Sequence, residues 1–389
     1  MLHMFVELLL LIIAIITGLL TFRYRHQIRL MLRPRTGVIT CYVSANASLG
    51  GDGSEANPFR TILEALEEGQ TTNVAAISVI ILEGTYSNDL NITRATTLTG
   101  RNHPNLKCSI RNLSGYDLTI KSLTISEAQG RAIFQSGGRL IIEDVYIGRT
   151  KIVDGDPESG RAIEMVCNDR TAFASFKNVG LSYNEGHALL LSGDFTKAVV
   201  LNVQVEHNSV DPTAFESSQE TEQIQLIGAV EVANGAKLMM ENFTISENAC
   251  CGVLVRDGGR AHLRNGTVNG TKKYQNRFGT NLEVLNGGKL ELNNFISSNA
   301  EYCGLELKNA YLKMLEGTIR DNLIGIAFLS IPLNGINSSC THSGLRKECL
   351  GGDSVQYINN QTVIGSGLLL LPDLMAESCG PCPTLVSWE

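Results

Sequence analysis

Between about Leu118 and Ser330 one phrase keeps returning: a hydrophobic alternation, a polar residue that is often Asn, a Gly, and a second alternation closed by a turn. ISEAQGRAIFQSGG, LSYNEGHALLLSGD, ISENACCGVLVRDGG, SSNAEYCGLELKNA and RDNLIGIAFLS are five of its copies. A unit of roughly 20 to 25 residues cannot bury its own apolar side, so it must stack on its neighbours as a solenoid. Strand follows strand with no helical pattern between, which removes βαβ architectures. The 389 residues therefore read as one elongated domain rather than two or three globular ones.

The units open at LTIKSLTI, RLIIEDVYI, TAFASFKNVGL, TKAVVLNVQV, KLMMENFTI, RAHLRNGTV, KLELNNFIS and YLKMLEGTI. The second strand of each starts at a Gly column, Gly130, Gly160, Gly186, Gly228, Gly252, Gly304 and Gly325, with Thr280 the one departure. A repeated tight bend needs the positive φ and close backbone approach that Gly tolerates. Asn184, Asn248, Asn299 and Asn322 precede that bend, where stacking would pass amide hydrogen bonds down the axis. Ahead of the repeats, an N-cap at Asn57, Pro58 at the first helical position, an apolar stripe of Phe59, Ile62, Leu63 and Leu66, and a stop at Gly69 predict a short amphipathic helix. Three turns, 149–159, 209–227 and 271–280, are enlarged at one turn position in alternating coils. Insertions gathered on one side of a solenoid usually border a binding surface.

With DGSEANPFRTILEAL and VIILEGTYSNDLNITRATTLTG in front of them, these coils resemble the right-handed parallel β-helix of the pectin-lyase-like superfamily, from about Cys41 to Ile336. Pro-Phe-x-Thr-Ile followed by Gly-Thr-Tyr is the most distinctive part of the likeness. The resemblance implies an all-β solenoid whose short helix plugs the N-terminal end, where an uncovered coil would offer unpaired strand edges. The enzyme members' motifs are absent: neither Gln-Asp with Gly-x-x-Asp-Phe nor Asn-x-Asp, Asp-Asp and Gly-His-Gly occurs, and Gly186-His187 is only a fragment.

Alternation on the second strands turns Val230, Val232, Leu282, Val284, Leu305 and Leu307 inward and Glu231, Glu283 and Glu306 outward. With strands about 4.8 Å apart, Glu283 and Glu306 would stand about as close as the carboxyl pair of a retaining glycosidase, near 5 Å. Such a pair raises one pKa and sets an acid beside a base; a solvated charged row, neutralised by Lys308 and Arg256, is the plainer reading. Arg131, Arg161 and His187 follow the Gly column on three consecutive coils and would form a cationic strip able to hold an anionic sugar. Asp154-Gly155-Asp156-Pro157-Glu158 has the oxygen density of the first half of a calcium loop, without the closing Glu.

The net charge of −7, with acids and bases interspersed and no evident basic stripe with interleaved aromatics, argues against a nucleic-acid partner. Ten Cys suit either disulfides or buried thiols. Cys251 and Cys303, two coils and about 10 Å apart, are too distant for a disulfide and read as packed core. The tail, 337–389, carries Cys340, Cys349, Cys379 and Cys382, favouring a cap stapled as Cys340–Cys349 and Cys379–Cys382, with a structural zinc as the alternative. The segment 1–22, apolar from Leu8 to Leu20, reads as an uncleaved membrane anchor, and 23–40 as a basic juxtamembrane linker. Its Arg run favours a cytoplasmic domain by the positive-inside rule, whereas the Cys-rich tail and the resemblance favour the outside. Eight N-x-S/T sequons, including Asn112, Asn242, Asn265 and Asn360, suit a secreted glycoprotein or simply the turn chemistry of an Asn-rich solenoid.

The expectation is a membrane-anchored, extracytoplasmic β-helix, 41–336, that binds carbohydrate or another surface partner along its flank, with calcium as its candidate cofactor. A polysaccharide lyase or hydrolase using Glu283, Glu306 and the Arg131-to-His187 strip is the alternative, and a rigid spacer or self-associating assembly subunit the second. An enzyme requires a groove holding carboxylates and bases together. A binding module requires a shallow flank with exposed aromatics such as Tyr274 or Phe278, and a subunit an exposed apolar patch or open end.

Overall fold

The computed structural model describes residues 37–72, 74–156, 159–208, 228–273, 279–328 and 354–366. They form a parallel β-helix of two sheets, one of 16 strands and one of 11, with each coil giving strands to both. Every neighbouring pair is parallel: Ala172–Ser182 lies on Gly138–Gly148, and Thr196–Glu206 on Ala172–Ser182. In the shorter-stranded sheet, Ile163, Leu189, Val230, Val253, Leu282, Leu305 and Ile326 stand in one inward column and are all buried.

The long strands carry a built-in bend. In Ala172–Ser182 the inward residues are Ala172, Ala174 and Phe176, then Val179 and Leu181, so the alternation slips by one at Asn178. Asp144, Asn178, Asn202, Asn242, Asn265 and Asn294 all take left-handed φ values of 51–56° at that point. Asn and Asp enter this region most readily because a short polar side chain bonds locally. Asn178 donates to Asp144 at 2.8 Å, Asn202 to Asn178 at 3.0 Å and Asn294 to Asn265 at 2.9 Å.

A second, buried Asn ladder lies where the chain leaves the long sheet. Asn184 donates to Asn208 at 2.8 Å, Asn208 to Asn248 at 3.0 Å and Asn322 to Asn360 at 3.0 Å. Asn208 and Asn360 belong to it. Asn299 does not: it takes the exposed left-handed position one residue earlier, and Ala300 follows. Where Thr271 replaces an Asn, Asn281 reaches in from the other sheet, accepts from the Thr271 hydroxyl at 2.7 Å and donates to Ser297 at 3.1 Å.

The Gly column divides in three: Gly130, Gly160 and Gly186 stand one residue before the position of Gly228, and Gly252, Gly304 and Gly325 one residue after it. Gly228 pairs with Cys251, and Thr280 with Cys251 and Cys303, so Gly252 and Gly304 stand opposite Asn281, not Thr280. Their reasons differ. Gly160 has φ +76°, whereas a Cβ on Gly252 would come 2.6 Å from the Asn281 carbonyl oxygen and one on Gly304 2.7 Å from the Asn322 amide nitrogen. The latter two glycines make room for the ladder.

The helix spans Ile62–Thr71, later than expected, because Thr61 caps it in a reciprocal box with Glu64. Phe59 instead bridges to Val43, Leu63 is exposed, and Gly69 lies inside the helix against Ile77. The coils also run beyond Ile336: Val355–Ile358 pairs with Gly317–Arg320, and Thr362–Ser366 with Ile324–Phe328. Asn208→Ala should lower unfolding free energy by about 2 kcal/mol, since it orphans the buried Asn184 amide and Leu181 carbonyl. Lys177→Ala on the exposed face should change it by less than about 0.5 kcal/mol, and denaturant titration compares the two.

Candidate functional site

On the outer face of the shorter-stranded sheet, parallel register sets two columns side by side. Arg131 and Arg161 stand in the first with Cys251, Thr280 and Cys303, and His187 occupies the same column. Glu164, Leu190, Glu231, Leu254, Glu283 and Glu306 form the second. The expected basic strip and carboxylate row thus share one face. The plainer reading, a solvated row, is overturned: Glu283 is 1% exposed, Glu231 2%, Arg161 5% and Glu306 6%.

Arg131, Arg161 and His187 are not free cations. Arg131 bonds Glu164 through Nε and Asp156 at 2.8 Å, while Arg161 bonds the other Glu164 oxygen at 2.9 Å. Glu164, which the sequence reading passed over, is the acid three residues after Arg161 that neutralises both. Glu231 lies between His187 Nε2 and Arg256, at 2.8 Å from each. Burial opposes its ionisation, yet the His187 hydrogen bond and the Arg256 charge carry its pKa below the usual carboxylate value.

Glu283 and Glu306 are in register on adjacent strands. Leu254 precedes them in the same column, and Cys251 and Cys303 flank them, each in a small apolar cluster apart from the main core. Burial first, and the Glu306 charge second, push the Glu283 carboxyl well above its ordinary value; one of its oxygens has no hydrogen-bond partner. Burial also pushes Glu306 up to about 7, with Lys308 pulling the other way. Both shifts favour the protonated carboxyl over the ion. Burial pushes the Cys251 and Cys303 thiols up as well, so both stay protonated.

A carboxyl whose pKa is raised by folding is most stabilising when protonated. Stability from Glu306 is complete below about pH 4.5 and declines as pH rises through about 7. The decline due to Glu306 should be on the order of 3 kcal/mol. Glu306→Gln should flatten the stability profile between about pH 5 and about pH 8, read as denaturation midpoint against pH; an unchanged slope would remove the pair as its cause.

The calcium reading loses a ligand, since Asp156 is engaged by Arg131 and Asp154 is exposed. Among the described residues no three His, Cys, Asp or Glu side chains converge as a metal would require. Glu158, the four tail cysteines Cys340, Cys349, Cys379 and Cys382, Tyr274, Phe278 and the anchor 1–22 lie outside the described residues. Among the described residues no helix is long and apolar enough to cross a membrane; Cys41, Cys108, Cys167, Cys251 and Cys303 are free and buried, and Cys250 is buried.

The long sheet presents a different surface. A groove of about 600 Å³ runs along its outer face, lined by Phe173, Lys197, Lys237, Arg260, Lys289 and Tyr311 among others. These six occupy one register column on six successive coils. Local turn chemistry puts them there: Asn234-Gly235, Asp257-Gly258 and Asn286-Gly287 have positive φ at both residues, the type I′ geometry, and a cation follows two residues later each time. NGAK, DGGR and NGGK carried this signal in the sequence. The four cations form a stripe in space with aromatics at its ends, not interleaved with them.

No family model and no curated protein sequence matches this chain. Among solved structures it is similar to a pectate lyase, with TM-score 0.54 and 12% identity over 85% of this chain and 78% of the lyase. A rhamnogalacturonan lyase (TM-score 0.37, 12% identity, 85% and 87% covered) and the mannuronan C-5 epimerase A-module of Azotobacter vinelandii (TM-score 0.36, 14%, 85% and 98%) align more loosely. The likeness to the pectate lyase shows the fold, a parallel β-helix.

Proposed function

We propose that this protein is a carbohydrate-binding β-helix, held at a membrane by its N-terminal segment with the domain outside, that lays a glycan lengthwise along the long sheet. The observation that carries the reading is a shallow, open flank closed at both ends by aromatics. Phe173 is exposed, Tyr311 is half-buried, and Val199 and Met239 stand exposed between them. An aromatic ring offers a rigid apolar surface to the C–H face of a sugar, and Tyr adds a hydroxyl to bond it. The pectate lyase of the same fold is named for a polysaccharide, which supports the class of ligand. The anchor rests on the apolar run from Leu8 to Leu20, and the outside location on the cysteine-rich tail. Protease added to intact cells should remove the domain; full protection would reverse the location.

A polysaccharide lyase or hydrolase is the second reading, favoured by the raised pKa values of Glu283 and Glu306. Binding is placed first because those carboxyls are withdrawn from solvent whereas the groove is open. Replacing both Phe173 and Tyr311 by Ala should weaken glycan binding by roughly tenfold or more, as expected from two stacking contacts at about 1 kcal/mol each. Calorimetry against a panel of soluble polysaccharides measures this, and Glu283→Gln should leave the affinity unchanged.

A further inference from the structure

We infer that the occupant of the long-sheet groove is a linear acidic polysaccharide whose carboxylates or sulfates recur in step with the coils and are read by Lys197, Lys237, Arg260 and Lys289. This rests on the glycan reading above and names its chemistry. The four cations stand directly one above another, Lys197 on Lys237, Lys237 on Arg260 and Arg260 on Lys289. At about 4.8 Å per strand they span about 14 Å. All four are exposed, and none forms an ion pair among the described residues.

The same strands show what ordinary charge placement looks like. Four residues further along, Lys121, Glu143 and Lys177 occupy successive coils with Glu143 bonded to both lysines, and Glu241 pairs with Arg264. That column alternates sign. The groove column does not, although like charges directly opposite on neighbouring strands weaken a sheet. Among the residues lining the groove Glu291 is the only acid, and it stands beside His262 in the adjacent column. An uncompensated row of cations at one-coil spacing is relieved by a polyanion laid along it, which releases the counterions that otherwise screen it.

The geometry favours a sugar polymer over single-stranded nucleic acid. A nucleic-acid groove interleaves aromatics with cations so that successive bases can stack. Here Phe173 and Tyr311 stand only at the ends, with Val199 and Met239 between.

The test is calorimetric titration of the full-length chain with a polyuronate, a sulfated glycosaminoglycan, a neutral β-glucan and oligothymidylate, at several salt concentrations. One of the two acidic polysaccharides should bind with a log–log salt slope of roughly −3, as for four phosphate-like contacts at about 0.7 each. Which of the two binds assigns carboxylate or sulfate. Lys237→Gln with Arg260→Gln should roughly halve that slope, while Lys237→Arg should leave it unchanged, with circular dichroism confirming the fold of each variant. Equal, salt-insensitive binding of the neutral glucan would overturn this inference and leave the glycan reading standing. Tighter binding of oligothymidylate would overturn it in favour of nucleic acid, and failure of every polysaccharide would remove both readings together.

Discussion

Backbone hydrogen bonds between one coil and the next hold each residue about 4.8 Å above its counterpart, and this enforced proximity gives every column of the molecule its character. A side chain cannot avoid the one below it, so like must be compatible with like. Inside, Asn184, Asn208 and Asn248 meet the constraint by donating in sequence, each amide satisfying the next. Outside, Asn178 and Asn202 do the same at the left-handed bend. Buried Glu164 and Arg161 interlock opposite signs, with Arg131 on the other side of Glu164.

Two columns break this compatibility, and they do so in opposite ways. Glu283 and Glu306 are like charges taken out of water, and protonation relieves them. Lys197, Lys237, Arg260 and Lys289 are like charges left in water, where solvent and salt relieve them in the absence of a ligand. The carboxyl pair can resolve its conflict internally; the cationic row needs something from outside.

The architecture was legible in the sequence because a solenoid writes its period into the chain, and the inward columns such as Val230, Val253 and Leu282 follow from alternation alone. Register was not. Aligning units on glycine merged Gly228 with Gly252, although one stands beside Cys251 in register and the other makes space for Asn281. Alternation correctly turned Glu283 outward but says only which side a residue faces, never whether that side is covered. Arg131 and Arg161 read as a free cationic strip because Glu164, although only three residues after Arg161, meets Arg131 only across neighbouring coils. The groove escaped for the same reason: unequal loops separate its four cations in sequence, and the shared Asn/Asp-Gly turn that aligns three of them reads as punctuation.

The two unusual columns also belong to different sheets, with the hydrophobic core between them. A polyanion lying on the long sheet therefore does not bring its charge against Glu283 and Glu306, which would raise their pKa values further and oppose binding as pH rises. Placing the cations on the sheet that bears exposed Phe173, Val199 and Met239 joins attraction to apolar contact on one surface. Charge then supplies long-range capture that salt can tune, and the aromatic ends supply contact that salt leaves largely intact. A ligand matched to both needs a regular anionic repeat on an otherwise amphipathic chain, and this combination narrows the occupant more than charge or aromatic contact does alone.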